Sequence, residues 1–88
     1  MNKNVNIVYY VDIDDNTKGN ICAIPSDIDM RDPNIIEKVA NAISEVLSPI
    51  RPEVEEHKIS IATAIAHHKF SNLYDYEFGV EEAALIER

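Results

Sequence analysis

Two pairs of aspartates have a spacing that could hold a metal ion. Asp12 and Asp14, and likewise Asp27 and Asp29, are separated by one residue, so in an extended segment both carboxylates of a pair lie on one side. Such oxygen ligands suit a hard divalent cation, which makes a metal-dependent enzyme using Asp12 and Asp14 one hypothesis. One pair alone supplies few ligands, and the two pairs would lie roughly 20 Å apart in a hairpin. We therefore predict solvated turn residues, with no metal site and no cofactor.

The other groups with ligating or reactive side chains are three histidines and one cysteine. His67 and His68 are adjacent and diverge in a strand or a helix, while His57 lies three helical turns from His68. Cys22 lies in an apolar run, which predicts a small buried side chain. Two glycines in the whole chain are too few for a glycine-rich phosphate loop. These residues do not form a catalytic set, and we predict that the protein is not an enzyme.

Negative charge is the most distinctive property of the chain, which has a net charge of -8 from 8 Lys and Arg against 16 Asp and Glu. The acids concentrate in residues 12–32 and 75–87. Binding to nucleic acid requires clustered basic residues, and anionic lipid headgroups repel an acidic surface. We therefore expect no direct nucleic-acid contact and no membrane role. A basic protein is the partner that this charge favours.

A hairpin and a helix are the clearest elements that must position these residues. Residues 5–13 alternate in polarity and predict a strand, and a turn leads to a second strand over Asn20–Pro25. Asp32 is a suitable cap for a helix that begins at Pro33 and continues to Ser48. The side chains that alternation places on the core side of the first strand are Val5, Ile7, Tyr9, Val11 and Ile13.

The second half of the chain is harder to assign. Residues 53–69 fit a helix with acids in its first turn and basic residues in its last, and they also fit a strand. We favour the strand because a helical projection places Lys58 and Lys69 inside the apolar arc. Alternation over residues 74–80 predicts a further strand, followed by a short closing helix from about Glu81 to Glu87.

These elements predict a single domain, residues 1–88, of the α+β class in the order ββαβ(β)α. A small antiparallel sheet, made of the N-terminal hairpin and one or two later strands, would carry one main amphipathic helix on one face. Cys22 has no partner for an intramolecular disulfide, and the N-terminus does not have the pattern of a signal peptide. We therefore expect a cytoplasmic protein.

The function predicted from the sequence is non-catalytic binding that neutralises or regulates a basic partner protein. The element order is similar to that of small antitoxin subunits, and the size and acidity are similar to those of immunity proteins and phage anti-defence proteins. No motif is shared, so we assign no family and transfer no functional residue. The alternative is a homodimer or other homo-oligomeric accessory domain that buries Val8, Tyr10 and the 74–80 face between copies. The predicted partner-binding site combines acidic and aromatic side chains. Its residues are Tyr74, Asp75, Tyr76, Glu77, Phe78, Glu81 and Glu82.

Overall fold

The computed structural model describes the backbone of residues 2–86 and the side chains of residues 4–84. Its elements are β1 (Asn2–Asp12), β2 (Thr17–Pro25), α1 (Pro33–Leu47), α2 (Val54–Ala66), β3 (Ser71–Leu73) and β4 (Tyr76–Ile86). The four strands form one antiparallel sheet in the order β2-β1-β4-β3. The predicted α+β class and antiparallel sheet are confirmed. Neither helix in this part of the chain is long and apolar enough to cross a membrane.

The two long strands β1 and β4 form the centre of the sheet. They pair without interruption from Asn2 opposite Ile86 to Asp12 opposite Tyr76. On the other side of β1, the pairing with β2 contains an irregularity between Val8 and Tyr9. The short strand β3 pairs with β4 only from Tyr76 to Phe78. β4 therefore has a sheet neighbour along its whole length on one edge and over three residues on the other.

α1 begins as the sequence predicts. The Asp32 side chain accepts a hydrogen bond of 2.8 Å from the backbone N–H of Asn34, and Pro33 occupies the first turn, where a missing N–H costs nothing. The helix ends at Leu47, one residue before the predicted end. Its apolar stripe packs on the sheet through the buried side chains of Val39, Ala40, Ile43 and Leu47.

The strand predicted within residues 53–69 is wrong, because Val54–Ala66 is a helix. Its buried side chains recur at helical spacing and include Ile61 and Ile65. Lys58 is compatible with this helix because its stem is half-buried while its Nζ reaches Glu55 Oε1 at 2.7 Å. Lys69 lies beyond the helix end and does not enter the apolar arc. The positions of Lys58 and Lys69, which led us to favour a strand, are therefore compatible with a helix.

The closing helix predicted from Glu81 to Glu87 is also wrong over the described residues, since β4 continues to Ile86; Glu87 lies outside them. Glu, Ala and Leu favour helices locally. In the folded protein, however, β1 offers this segment an uninterrupted row of backbone partners. Strand propensity depends strongly on such neighbours, so tertiary pairing overrides the local preference.

The core side of β1 is opposite to the prediction. Val8 is fully buried with Phe78 beneath the helices, and Tyr10 packs against the same core. Val5, Ile7, Tyr9 and Val11 belong to the other face and are half-buried, whereas Ile13 is an exposed turn residue. β1 carries apolar side chains on both faces, so alternation alone could not decide which face the helices cover.

Candidate protein-binding face

The face of the sheet that α1 and α2 leave uncovered is a candidate site. We call it the open face. Its central stripe consists of Val5, Ile7, Tyr9 and Val11 from β1. In the sheet register these residues lie beside Ala83, Glu81, Gly79 and Glu77 of β4 and beside Pro25, Ala23, Asn20 and Lys18 of β2. The open face is thus an apolar stripe with charged side chains on both flanks.

Tyr9 lies across the neighbouring strand at the middle of the open face. A Cβ atom at Gly79 would approach Tyr9 Oη to 2.7 Å and the ring of Phe70 to 3.1 Å. Only glycine leaves room for both aromatic side chains here. Phe70 is 70% exposed and extends the apolar surface from Tyr9 to the β3 edge. The side chains of Tyr9 and Phe70 both lie above Gly79.

Lys18 and Glu81 form an ion pair beside Tyr9. Lys18 Nζ lies 2.7 Å from Glu81 Oε1 and 4.4 Å from the centre of the Tyr9 ring. Both charged side chains are almost half exposed, so we expect this pair to contribute less than about 1 kcal/mol. Because the pair is weak, a cation of a bound protein could replace Lys18 beside Glu81 at small cost. Glu77, paired with Val11, adds a second carboxylate.

The residues predicted from the sequence to bind a partner do not form one surface. Tyr76 and Phe78 are in the core, where a partner cannot reach them without unfolding the sheet. Glu77 and Glu81 lie on the open face. The remaining three are distributed elsewhere: Tyr74 and Asp75 form the turn between β3 and β4, and Glu82 is exposed on the helix side, where its Oε1 accepts from Asn4 at 3.2 Å.

Asp75 is engaged inside the fold. Its Oδ2 accepts from Arg51 Nη2 at 3.0 Å, and its carbonyl accepts from the backbone N–H of Ile13 at 2.8 Å. The Arg51 guanidinium also lies 5.5 Å from the Tyr74 ring centre and 5.8 Å from that of Tyr76. These contacts connect the α1–α2 loop to the turn between β3 and β4. The contacts of Asp75 described here are therefore structural.

One carboxylate of each aspartate pair accepts a backbone hydrogen bond within its own turn. Asp12 Oδ1 accepts from the backbone N–H of Asp14 at 3.0 Å, and Asp29 Oδ1 accepts from that of Arg31 at 2.9 Å. Within the part of the chain that the structure describes, no three His, Cys, Asp or Glu residues converge as metal ligands would. The spacing of these aspartates is therefore accounted for by the turns that Asp12 and Asp29 stabilise.

Cys22 is half-buried on the helix side of β2 and packs against the core. Burial raises the pKa of its thiol, and the positive charge of Lys38 offsets this in part. A raised pKa disfavours the thiolate, which is the nucleophilic form. The side chain accordingly packs as a small hydrophobic residue.

A polar cleft of about 460 Å³ lies at the end of the sheet near the last turn of α2. Asn6 lines it and is only 8% exposed. His67 and His68 reach the cleft together because α2 ends there and His68 adopts a left-handed backbone with φ of 55°. The sequence analysis missed this convergence because it favoured a strand for this segment, whereas the two histidines reach the cleft from the end of a helix. The charged residues around the cleft are Asp29, Arg31 and Glu82.

Comparison of the chain with protein-family models, curated proteins and solved structures finds no match. Function is therefore inferred from the residues of this chain alone. The signal for the open face was present in the sequence as apolar residues of both parities in β1, including Val8 and Tyr10 on one face and Ile7 and Tyr9 on the other.

Proposed function

We propose that this protein is a non-catalytic module that binds a basic partner protein through the open face. The observation that carries the proposal is the apolar stripe of Val5, Ile7, Tyr9 and Val11 on the sheet face opposite both helices. Adjoining apolar side chains outside the core are typical of a surface that another protein covers. Tyr9 and Phe70 add aromatic area, which is enriched at protein interfaces.

Charge supports a basic partner. Glu77 and Glu81 flank the stripe on the β4 side, and the chain as a whole has a net charge of -8. Opposite charge accelerates encounter and aligns the two surfaces, while the apolar stripe supplies the area to be buried. Complex formation is therefore expected to weaken as salt screens the charges, without disappearing.

A substitution on the open face tests the proposal. We would immobilise the parent protein and the Ile7→Asp variant, expose both to an extract of the organism that encodes the chain, and identify retained proteins by mass spectrometry. The expected result is a basic protein that the parent retains and Ile7→Asp loses, because a buried unpaired carboxylate opposes the contact. Retention by the parent should fall between about 50 mM and about 500 mM NaCl.

The matched control is Ile59→Asp. Ile59 is also an exposed isoleucine, at 50% exposure, but it lies on α2 at a distance from the open face. This variant should retain the same protein as the parent, and circular dichroism should show that both variants are folded. Equal retention by all three proteins, or equal loss with both variants, would contradict binding through the open face.

The homo-oligomeric alternative loses Val8 and Tyr10, and within its 74–80 face Tyr76 and Phe78 are in the core while Tyr74 is 59% exposed. Val8 and Tyr10 pack against the helices within one chain, so they are not available to a second copy. Self-association through the open face would instead be visible as a dimer in light scattering that Ile7→Asp dissociates, and that result would replace the partner proposal.

A further inference from the structure

The strand β4 has an unpaired backbone edge. The N–H of Ile13 donates to the carbonyl of Asp75, so β1 and β4 exchange backbone bonds at odd-numbered positions of β4. Bonded positions recur at every second residue of an antiparallel pair. The N–H and C=O groups of the even-numbered residues therefore point to the opposite edge. Tyr76 and Phe78 meet β3 on that edge, whereas Val80, Glu82 and Ala84 lie beyond it.

No other backbone segment takes the place of β3 along this stretch. Among residues 2–86, no backbone bond from a turn, loop or helix reaches Val80, Glu82 or Ala84. Glu82 and Ala84 are exposed. The free stretch continues to Ile86 and is roughly 20 Å long, which is enough for an added strand of ordinary length.

The other edge of the sheet, formed by β2, is less suited to pairing. Its register with β1 is interrupted opposite Val8 and Tyr9, and it ends at Pro25, which has no N–H. A bulge and a proline are common ways of protecting a sheet edge from added strands. β4 has neither feature, since its pairing with β1 is regular throughout. The two edges therefore differ in how readily they accept a strand.

The geometry points to β4 from Val80 to Ile86 as a docking site for an extended, basic segment of a partner protein, which would add a strand to the sheet. This inference rests on the proposed function and specifies how the partner is held. Main-chain hydrogen bonds would supply affinity, and side chains of the added strand would supply specificity. Lys or Arg opposite Glu81 or Glu82 forms a favourable cross-strand pair.

Charge favours a basic segment over a second copy of this chain. Glu81 and Glu82 lie within the free stretch, on opposite faces of the sheet. Each has one carboxylate oxygen without a hydrogen bond to Lys18 or Asn4. Pairing of β4 with its own copy would bring two chains of net charge -8 together along these acids. Like charges across a strand pair oppose association.

The test compares two proline variants, one in the free stretch of β4 and one at the outer edge of β3. Ala84→Pro removes an N–H that points away from β1, so the sheet should remain folded while strand addition is blocked. Asn72→Pro is the matched control. β3 bonds to β4 through Ser71 and Leu73, which lie opposite Phe78 and Tyr76, so the N–H of the exposed Asn72 between them points away from β4.

The probe is a synthetic peptide of about nine residues that alternates Lys and Val, with a second peptide in which Glu replaces Lys. Backbone amide spectra should show binding of the Lys peptide and slower hydrogen exchange at Val80, Glu82 and Ala84. Ala84→Pro should weaken this binding by about tenfold, whereas Asn72→Pro should leave it within about twofold of the parent. Spectra of both free variants should show a folded sheet.

Several results would overturn the inference. These are no binding of the Lys peptide up to about 1 mM, equal binding of the Glu peptide, protection along β2, or equal weakening by both proline variants. A dimer of the parent that Ala84→Pro dissociates would assign the edge to a second copy. The proposed function fails separately if Ile7→Asp leaves partner retention unchanged, because the peptide titration does not depend on that measurement.

Discussion

At the scale of single residues, the two glycines and the tyrosines that they face shape both sides of the sheet. Gly19 is paired with Tyr10 and Gly79 with Tyr9. A Cβ at either glycine would collide with the ring of its tyrosine. Neither glycine has a positive φ, so each is required for the close approach of a side chain and not for an unusual backbone.

Gly79→Ala is expected to lower the free energy of unfolding by about 1 to 3 kcal/mol, because the added methyl group displaces Tyr9 and Phe70. Urea denaturation measures the change. In a Tyr9→Ala background most of this penalty should vanish, since the nearest obstacle is gone. A penalty of the same size in both backgrounds would show that the methyl group is tolerated beside Tyr9 and acts elsewhere.

Asp14 is expected to destabilise the folded state when it ionises. The charge of Asp75 raises the pKa of the Asp14 carboxyl above its usual range, with smaller contributions from partial desolvation and from Asp12. A folded pKa above the unfolded pKa adds stability at low pH that is lost as pH rises through the folded pKa. Asp14→Asn should therefore melt above the parent at about pH 7 and close to it at about pH 3.

Thermal melts of the two proteins over this pH range provide the measurement. Asp15→Asn serves as the contrasting variant, because hydrogen bonds from Thr17 hold the pKa of Asp15 below its usual range. Its folded state loses stability as pH falls, so this variant should melt below the parent at about pH 7. The same sign for both variants would contradict the assignment.

At the scale of elements, residues within and next to α1 specify that helix, whereas α2 depends on packing against the rest of the fold. Asp32, Pro33 and an apolar stripe specify α1 in sequence. α2 has no side-chain hydrogen bond at its N-cap, and its first turn is stabilised by Glu55 and Glu56 near the positive end of the helix dipole. It packs against α1 through small and branched side chains, which fit a helix and a strand equally well in the isolated sequence.

Asp32→Ala should cost about 1 kcal/mol, because the N–H of Asn34 loses its acceptor. Asp32→Ser keeps a side-chain oxygen at the cap and should lose only a small part of this stability. Chemical denaturation of the two variants separates the effect of the cap from that of the charge. Equal losses would mean that the charge of Asp32, and not its hydrogen bond, stabilises α1.

Ile61→Ala and Ile59→Ala distinguish the helix from the strand that the sequence favoured. In a strand both side chains would share a face, whereas in α2 Ile61 is buried and Ile59 is 50% exposed. Ile61→Ala should therefore cost about 3 kcal/mol and Ile59→Ala less than about 1 kcal/mol in urea denaturation. Similar costs at the two positions would contradict the helix.

At the scale of the whole molecule, excess negative charge opposes the compact state. The ion pairs among the described residues, such as those of Lys18 with Glu81 and Arg51 with Asp75, are partly exposed and offset this repulsion only in part. Charge that destabilises the free protein becomes useful if a basic partner neutralises it. Binding and stability are then linked through the same carboxylates.

The melting temperature is expected to rise when NaCl increases from about 10 mM to about 200 mM at neutral pH, because salt screens repulsion among the carboxylates. The same change of salt near the isoelectric point of about 4.6 should have a smaller effect, since the net charge is then close to zero. Differential scanning calorimetry at the two pH values tests this. A fall in melting temperature at neutral pH would show that attractive pairs outweigh the net charge.

Features that depend on near neighbours along the chain follow from the amino-acid sequence. Asp32 and Pro33 specified the start of α1, the turn formers after Asp12 specified the hairpin, and the shared parity of Tyr76 and Phe78 indicated a strand. The acidic character that favours a basic partner is also a property of composition. Each of these inferences requires only residues that are close in sequence or a sum over all of them.

Contacts between residues distant in sequence determine which face of β1 is covered, that α2 is a helix, and how far β4 extends. β1 has apolar side chains on both faces, so the position of the helices, set by contacts distant in sequence, selects Val8 over Ile7 for the core. β4 is a strand because β1 pairs with it along its full length. The open face and the free edge of β4 follow from these long-range choices, which no local pattern encodes.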